Sequence, residues 1–456
     1  MFHLKSKIFV SPERMLVHAA SDRRAFLGAM GAGLGVLVAG TSTSAVARNV
    51  SDLSIGPMVR VSRQRLDALA AQFFPLFNQG HVVEPFSAER HGARYDVELR
   101  TLSTFTKVPE TGERVQVTGL LAVPAGVNGR IPVVSWQHGT ILSFDQVPSN
   151  LVRLADPAYK LSDERDSLET MFNLQRLAGQ GFAVVAADYL GKGPLRGTRT
   201  EAYGVRDATV ATCSDILDSG LRGLGQLGLQ SSALFLNGWS QGGANTQWMH
   251  QALRRRGIEV TASAAQSPFN NLLDSLRYWT DQLPVPDSSD YPRVPAWASL
   301  CLIILLGSYR EYYRLPELFK TAIKPQYLEF AEKYWRTYRI EAEDLPKAPA
   351  STADLLIDGF LSRFTALPNS QFLARVAANA PLAYTYDRPF RFYYGMADEA
   401  LHPSMMGVAL ATAGPMAGGV PVPRASHRGT FLASLYGDRA SVAGLSNVPD
   451  WFRSFL

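Results

Sequence analysis

Four short, continuously apolar runs, Ile131 to Trp136, Phe182 to Ala187, Ala233 to Leu236 and Val260 to Ala265, alternate with longer stretches of helical character. Strands that are apolar at every position need cover on both faces, which a parallel sheet flanked by helices supplies. The expected fold class is therefore α/β, with a mostly parallel central sheet. Pro389 to Tyr394 reads as a further strand of this kind, and Val420 to Ala425 as a weaker edge strand, because its prolines cannot donate to a ladder. Upstream, Arg94 to Val108 and Val115 to Val123 have strand character and Pro109-Glu110-Thr111-Gly112 joins them as a turn, which predicts an N-terminal antiparallel hairpin. The stretch before it, to about Gln79, reads as mixed helical.

Between Ser267-Pro268 and Arg388-Pro389 the strand pattern stops for about 120 residues, and aromatics, prolines and helix formers take over. This segment reads as a helical cap inserted in the α/β domain. Its most apolar run, Ala298 to Leu306, suits either the lining of an acyl pocket or the cap's own core; for most of these residues, as for Tyr309, Tyr312, Tyr313, Tyr327, Trp335 and Tyr338, packing is the expected role.

The first 47 residues belong to a different physical problem. Ser21-Asp22-Arg23-Arg24-Ala25-Phe26-Leu27-Gly28 has the form of a twin-arginine export signal, a glycine-rich apolar stretch follows to about Gly40, and Ala45-Val46-Ala47 offers small residues for a signal peptidase. The expectation is a removed leader, residues 1–47, and a periplasmic or secreted protein; Met15 offers an alternative start. The leader carries five basic and two acidic residues, so its removal takes the net charge from +5 to about +2. That balance, with no dense basic run interleaved with aromatics, argues against a nucleic-acid partner. Cys213 and Cys301 are the only cysteines, too few for a zinc motif, and two buried free thiols are as well expected as a disulfide.

Chemistry is signalled where the run Ala233 to Leu236 gives way to a helix-like stretch through Gly238-Trp239-Ser240-Gln241-Gly242. A strand turning sharply into a helix holds a serine exposed at the sheet edge, and glycines on both sides leave room for the turn. A serine hydroxyl needs a base and, behind it, a carboxylate. Both follow in order: Asp398 in Tyr394-Gly395-Met396-Ala397-Asp398, just beyond a strand, and His427 in Arg424-Ala425-Ser426-His427-Arg428-Gly429. Glu399, Asp387 and Asp274 are the alternative acids. His402 lies too near Asp398 to serve as base from a separate loop, and His250 falls on the helix behind the serine. An oxyanion site would take the backbone NH of Gln241, immediately after the serine, and that of Thr140 in Gln137-His138-Gly139-Thr140, with His138 bracing the loop.

With these residues in hand, the chain resembles the α/β-hydrolase superfamily, and more narrowly the secretory lipase family of capped lipases and esterases. The resemblance rests on His138-Gly139-Thr140, Ala187-Asp188-Tyr189-Leu190-Gly191, the Ser240 pentapeptide, Asp398 and His427. It implies an α/β-hydrolase fold with a core in two parts, residues 48–269 and 386–456, around a cap at 270–385. The implied function is a serine hydrolase of carboxylic esters, with Ser240, Asp398 and His427 as triad and Gln241 and Thr140 as oxyanion hole. No cofactor or metal is implied. The expected partner is a small-molecule or lipid ester, with transient contact of the cap on a lipid surface left open. An exported peptidase and an acyltransferase are alternatives on the same fold, and a non-catalytic binding module is the alternative of another class.

Overall fold

The computed structural model describes residues 52–283, 285, 291–362 and 369–456; the leader expected at 1–47 lies outside them. In chain order the strands are β1 (Ser54–Ile55), β2 (Val59–Val61), β3 (Val97–Lys107), β4 (Arg114–Pro124), β5 (Gly129–Gln137), β6 (Ala183–Ala187), β7 (Leu229–Trp239), β8 (Ala262–Gln266), β9 (Phe390–Gly395) and β10 (Ala417–Val422). All ten join one sheet in the order β1-β3-β4-β6-β5-β7-β8-β9-β10, with β2 also on β3. β3 and β4 form the expected hairpin in continuous antiparallel register, from Val97 opposite Pro124 to Lys107 opposite Arg114. From β6 to β10 the sheet is parallel.

Two details differ from the sequence expectation. The region before Gln79 carries β1 and β2 as well as the helix Arg63–Phe77, and both strands are two or three residues long and pair with β3. Strands that short leave no periodicity to read. The central strands are also less apolar than expected where they end: Gln137, Asn237 and Gln266 are fully buried. Gln266 hydrogen-bonds Asn237, Asn237 donates to Asn173 at 3.1 Å, and Thr246 bonds Gln137 at 2.9 Å. Buried amides at a sheet end are tolerated because each makes at least one such bond, and the network fixes these strand ends.

The two faces of the sheet are covered by different helices. One face packs against Arg206–Gln226 and Gln241–Arg255, the other against Arg63–Phe77, Leu168–Arg176 and His427–Tyr436. Because β5 lies between β6 and β7, the connections leaving β5 and β7 diverge at their carboxyl ends, where a crevice opens in sheets of this kind. Between β8 and β9 the described residues form helices, the longest being Ala298–Tyr312, and no strand. The run Cys301 to Leu306 is buried in the core shared with the sheet. Two tyrosines of this insertion are tied to the loop after β6: Tyr309 donates to the carbonyl of Gly204 at 3.1 Å and Tyr312 to that of Thr200 at 2.7 Å. Cys213 and Cys301 are both free and buried, and burial pushes the Cys213 thiol up to about 12. No described helix is long and apolar enough to cross a membrane.

Candidate active site

β7 ends at Trp239, and the helix Gln241–Arg255 begins one residue after Ser240. Ser240 itself has φ 58° and ψ −120°. For a residue with a side chain this conformation costs about 1–3 kcal/mol and persists only where the surroundings enforce it. They do so through hydrogen bonds: the Ser240 NH donates to the Gln266 carbonyl at 2.9 Å, and its own carbonyl accepts from Phe269 at 3.0 Å. The flanking glycines are required by contact. A methyl on Gly238 would collide with the Gly242 carbonyl, and one on Gly242 with the carbonyl of Gln137 and, at 2.6 Å, that of His138. The sharp turn and the close approach of the β5 loop thus depend on the same two residues.

The loops after β9 and β10 bring Asp398 and His427 together. Nδ1 of His427 lies 3.0 and 2.9 Å from the two carboxylate oxygens of Asp398, and both residues are buried. Asp398 Oδ1 also accepts from the backbone NH groups of Ala400 and Leu401, at 3.0 and 2.8 Å, so the carboxylate is aimed by its own loop. A carboxylate facing Nδ1 fixes the proton there and leaves Nε2 free to accept one. Burial disfavours the charged imidazole, but the charge and hydrogen bond of Asp398 and the nearby Glu399 outweigh it and hold His427 above its ordinary value. Trp239 connects this pair to the elbow. Its indole NH donates to the His427 carbonyl at 3.2 Å and the two rings lie 5.0 Å apart, while no hydrogen bond joins the Ser240 hydroxyl to His427 in this arrangement.

On the opposite side, Gly139 packs against the Trp239 indole so closely that a methyl there would sit 2.9 Å from the ring. Among the described residues neither the Thr140 NH nor the Gln241 NH has a hydrogen-bond acceptor. The Thr140 hydroxyl is engaged by that of Tyr203 at 2.8 Å. His138 braces the loop: its Nδ1 meets the Gly139 carbonyl at 2.8 Å, its ring stacks on Tyr189 at 3.9 Å, and the Tyr189 hydroxyl donates to the His138 carbonyl at 2.9 Å. Burial holds the His138 imidazole down, at about 4, so it is neutral at pH 7.

The alternative acids and bases are occupied elsewhere. Asp387 pairs with Arg254 at 2.7 Å, and Asp274 accepts from its neighbour Asn271 at 2.8 Å. His250 is buried with Nδ1 on the Ser263 hydroxyl at 2.8 Å, and His402 turns to Ser404 at 2.7 Å. Glu399 reaches the His427 backbone NH at 2.9 Å, not the ring. Four side chains near the site had no distinguishing mark in the sequence as to this role: Trp239, Tyr203, Tyr291, whose hydroxyl donates to the Asp398 carbonyl at 2.9 Å, and Trp297, whose ring lies 6.3 Å from that of His427. Tyr291 and Trp297 come from the helical insertion, about a hundred residues away in sequence. Among the described residues no group of three or more His, Cys, Asp or Glu side chains could hold a metal ion.

No protein-family model matches the chain, and no curated protein matches it in sequence. Solved structures match it in fold. The rice cell wall degrading esterase LipA from Xanthomonas oryzae superposes with a TM-score of 0.64 at 18% identity, covering 86% of this chain and 98% of that one. A candidate hydrolase from Legionella pneumophila gives 0.69 at 18% identity over 88% and 98%. The chain has the α/β-hydrolase fold. Candida antarctica lipase A in its closed state shares it more distantly, with a TM-score of 0.54, 14% identity and coverage of 81% and 76%. In an α/β-hydrolase fold, a strand-to-helix elbow at the carboxyl edge is where a nucleophile is exposed, and here that elbow carries Ser240.

Proposed function

We propose that this protein is a serine hydrolase that cleaves carboxylic esters, with Ser240 as nucleophile, His427 as base and Asp398 as the carboxylate that orients it. The observation that carries this reading is the conjunction of a strained, enforced serine elbow with a buried imidazole whose Nδ1 is held by a carboxylate, the two joined through Trp239. In the proposed reaction, His427 Nε2 takes the Ser240 proton as Oγ attacks the ester carbonyl carbon. The resulting oxyanion accepts hydrogen bonds from the NH groups of Gln241 and Thr140. Collapse breaks the bond to the alcohol, which leaves with the proton from His427. Water, deprotonated by the same imidazole, then attacks the acyl-enzyme and frees the acid. The lack of a Ser240 to His427 hydrogen bond in this arrangement is compatible with this, since such bonds often form or tighten only when substrate is bound.

The residues at 270–385 would act as a cap, with Trp297 and Tyr291 reaching the acid–base side of the site. The wild-type protein should hydrolyse p-nitrophenyl esters and take a fluorophosphonate label on Ser240. Ser240→Ala should abolish both while leaving the unfolding transition unchanged; substantial residual turnover by a folded Ser240→Ala protein would rule the mechanism out. Export by the twin-arginine route is proposed on the leader's sequence, and replacing Arg23 and Arg24 by lysine should retain the protein in the cytoplasm.

A further inference from the structure

Beside Gln241, the residue after the elbow serine, lies a small and mostly enclosed cavity with about 10 Å³ of room for the centre of a water molecule. Glu201, Gln241, Thr209, Thr212 and Tyr189 contribute to its wall. Two oxygens of these residues are buried without a hydrogen-bond partner, Glu201 Oε1 and Gln241 Oε1. The threonines do not supply the missing protons, because Thr209 donates to the Ala202 carbonyl at 3.3 Å and Thr212 to that of Ala208 at 2.9 Å. The wall therefore presents two unmet acceptors and no free hydroxyl donor. A buried acceptor left unmet is costly, and a space of this size is the minimum that holds one water.

The other half of Glu201 is fully engaged. Its Oε2 lies 2.7 Å from the Lys192 ammonium, buried like itself, and accepts from the Tyr338 hydroxyl at 2.5 Å; the ammonium rests over the Tyr338 ring at 3.4 Å. A second cation in the cavity would meet that ammonium, which leaves a neutral species with two donor protons as the occupant that fits.

We propose that the cavity holds one water that donates one proton to Glu201 Oε1 and the other to Gln241 Oε1, and that Glu201 is through it a positioning residue for the Gln241 NH. This deepens the esterase reading and rests on it. Gln241 opens the helix Gln241–Arg255, its NH offered to the oxyanion and its side chain anchored on the far side, so the residue is fixed at two points. The same segment also steadies the second donor. Tyr203, two residues on, holds the Thr140 hydroxyl, and Ser308 of the insertion accepts from the Tyr203 NH at 3.0 Å while donating to the Glu201 carbonyl at 2.8 Å. Both oxyanion donors are thereby referred to one short segment that the insertion grips.

The test is a double-mutant cycle with p-nitrophenyl butyrate, pairing Gln241→Met, which keeps the backbone NH, with Glu201→Leu made together with Lys192→Met so that no buried charge is stranded. Each arm should lower kcat about tenfold with KM unchanged, because an oxyanion donor acts in the transition state. All three changes together should cost no more than either arm alone, since both break one bridge. Losses that multiply to about a hundredfold, or a change in KM with kcat intact, would overturn the proposal. A high-resolution crystal structure of the wild-type protein gives a readout independent of activity and of any variant's folding: density for one water between the two oxygens supports the bridge, and an empty cavity overturns it. Absence of esterase activity in the wild-type protein would instead sink the functional reading, with the water still decided by the density.

Discussion

On one rim of the Ser240 elbow, the loops after β9 and β10 hold Asp398 and His427 with contacts made largely within the sheet's own loops: two backbone NH groups and an imidazole on a single carboxylate. On the other rim, the loop after β5 leans on Tyr203, whose segment is fastened by Ser308 and Tyr338 of the helical insertion. The first rim takes its carboxylate and imidazole from loops 29 residues apart in the chain, is touched by Tyr291 of the insertion at the Asp398 carbonyl, and carries charge. The second meets the elbow with uncharged groups, Gly139, Thr140 and Tyr203, and borrows its rigidity from residues more than a hundred positions away. A substitution on the charged rim should therefore strike the chemistry directly, whereas one on the neutral rim should act through geometry and stability together.

The largest expected effect breaks the charged rim. Asp398→Asn should lower kcat by about 10⁴-fold, as loss of the orienting carboxylate does in such triads, whereas Glu399→Gln, which touches only the His427 backbone, should cost under about tenfold. Activity against pH sharpens the same point. In the proposed mechanism the His427 base must be neutral, so kcat/KM should fall as pH drops through the His427 value, with the acid limb centred above pH 6.5. The linkage to stability has the opposite sense: because folding raises this pKa, the stabilisation it brings is complete below pH 6.5 and is lost as pH rises through the folded value. In Asp398→Asn the limb should move down.

The seam between the rims comes next. Gly242→Ala would press a methyl into the carbonyls of Gln137 and His138, and should destabilise the protein by about 4 kcal/mol or more, read as a lowered denaturant midpoint. The smallest effect belongs to the neutral rim: Tyr203→Phe removes one hydroxyl contact to Thr140 and should cost about 1 kcal/mol of stability, with a few-fold loss in kcat. A Tyr203→Phe protein as impaired as Asp398→Asn would erase the distinction between the rims.

Ser240 and its glycines could be read from the chain because the elbow is local: the end of a strand, a turn and a helix start lie within five residues. Asp398 and His427 were legible as candidates because each follows a recognisable strand. His402 was set aside by its closeness to Asp398 in the chain, but what separates Asp398 from Glu399 is not local. Asp398 and Glu399 are adjacent, and only the path of the loop turns one toward the imidazole and the other toward a backbone NH. Lys192, Glu201 and Tyr338 were invisible as a cluster, since nothing in a glycine-rich loop and a distant helix marks a lysine as buried.

The amino-acid sequence determined the alternation of strands and helices, the antiparallel hairpin, the place of the elbow and a short slate of side chains able to activate a serine, because periodicity, glycine and strand ends are properties of neighbouring residues. The tertiary structure alone decided the order β4-β6-β5-β7, which carboxylate faces which imidazole, how Trp239 links them to the elbow, and which residues of the insertion brace the Thr140 loop. Those outcomes depend on contacts between segments far apart in the chain, where burial and hydrogen-bond satisfaction select one arrangement from several that the local pattern allows equally.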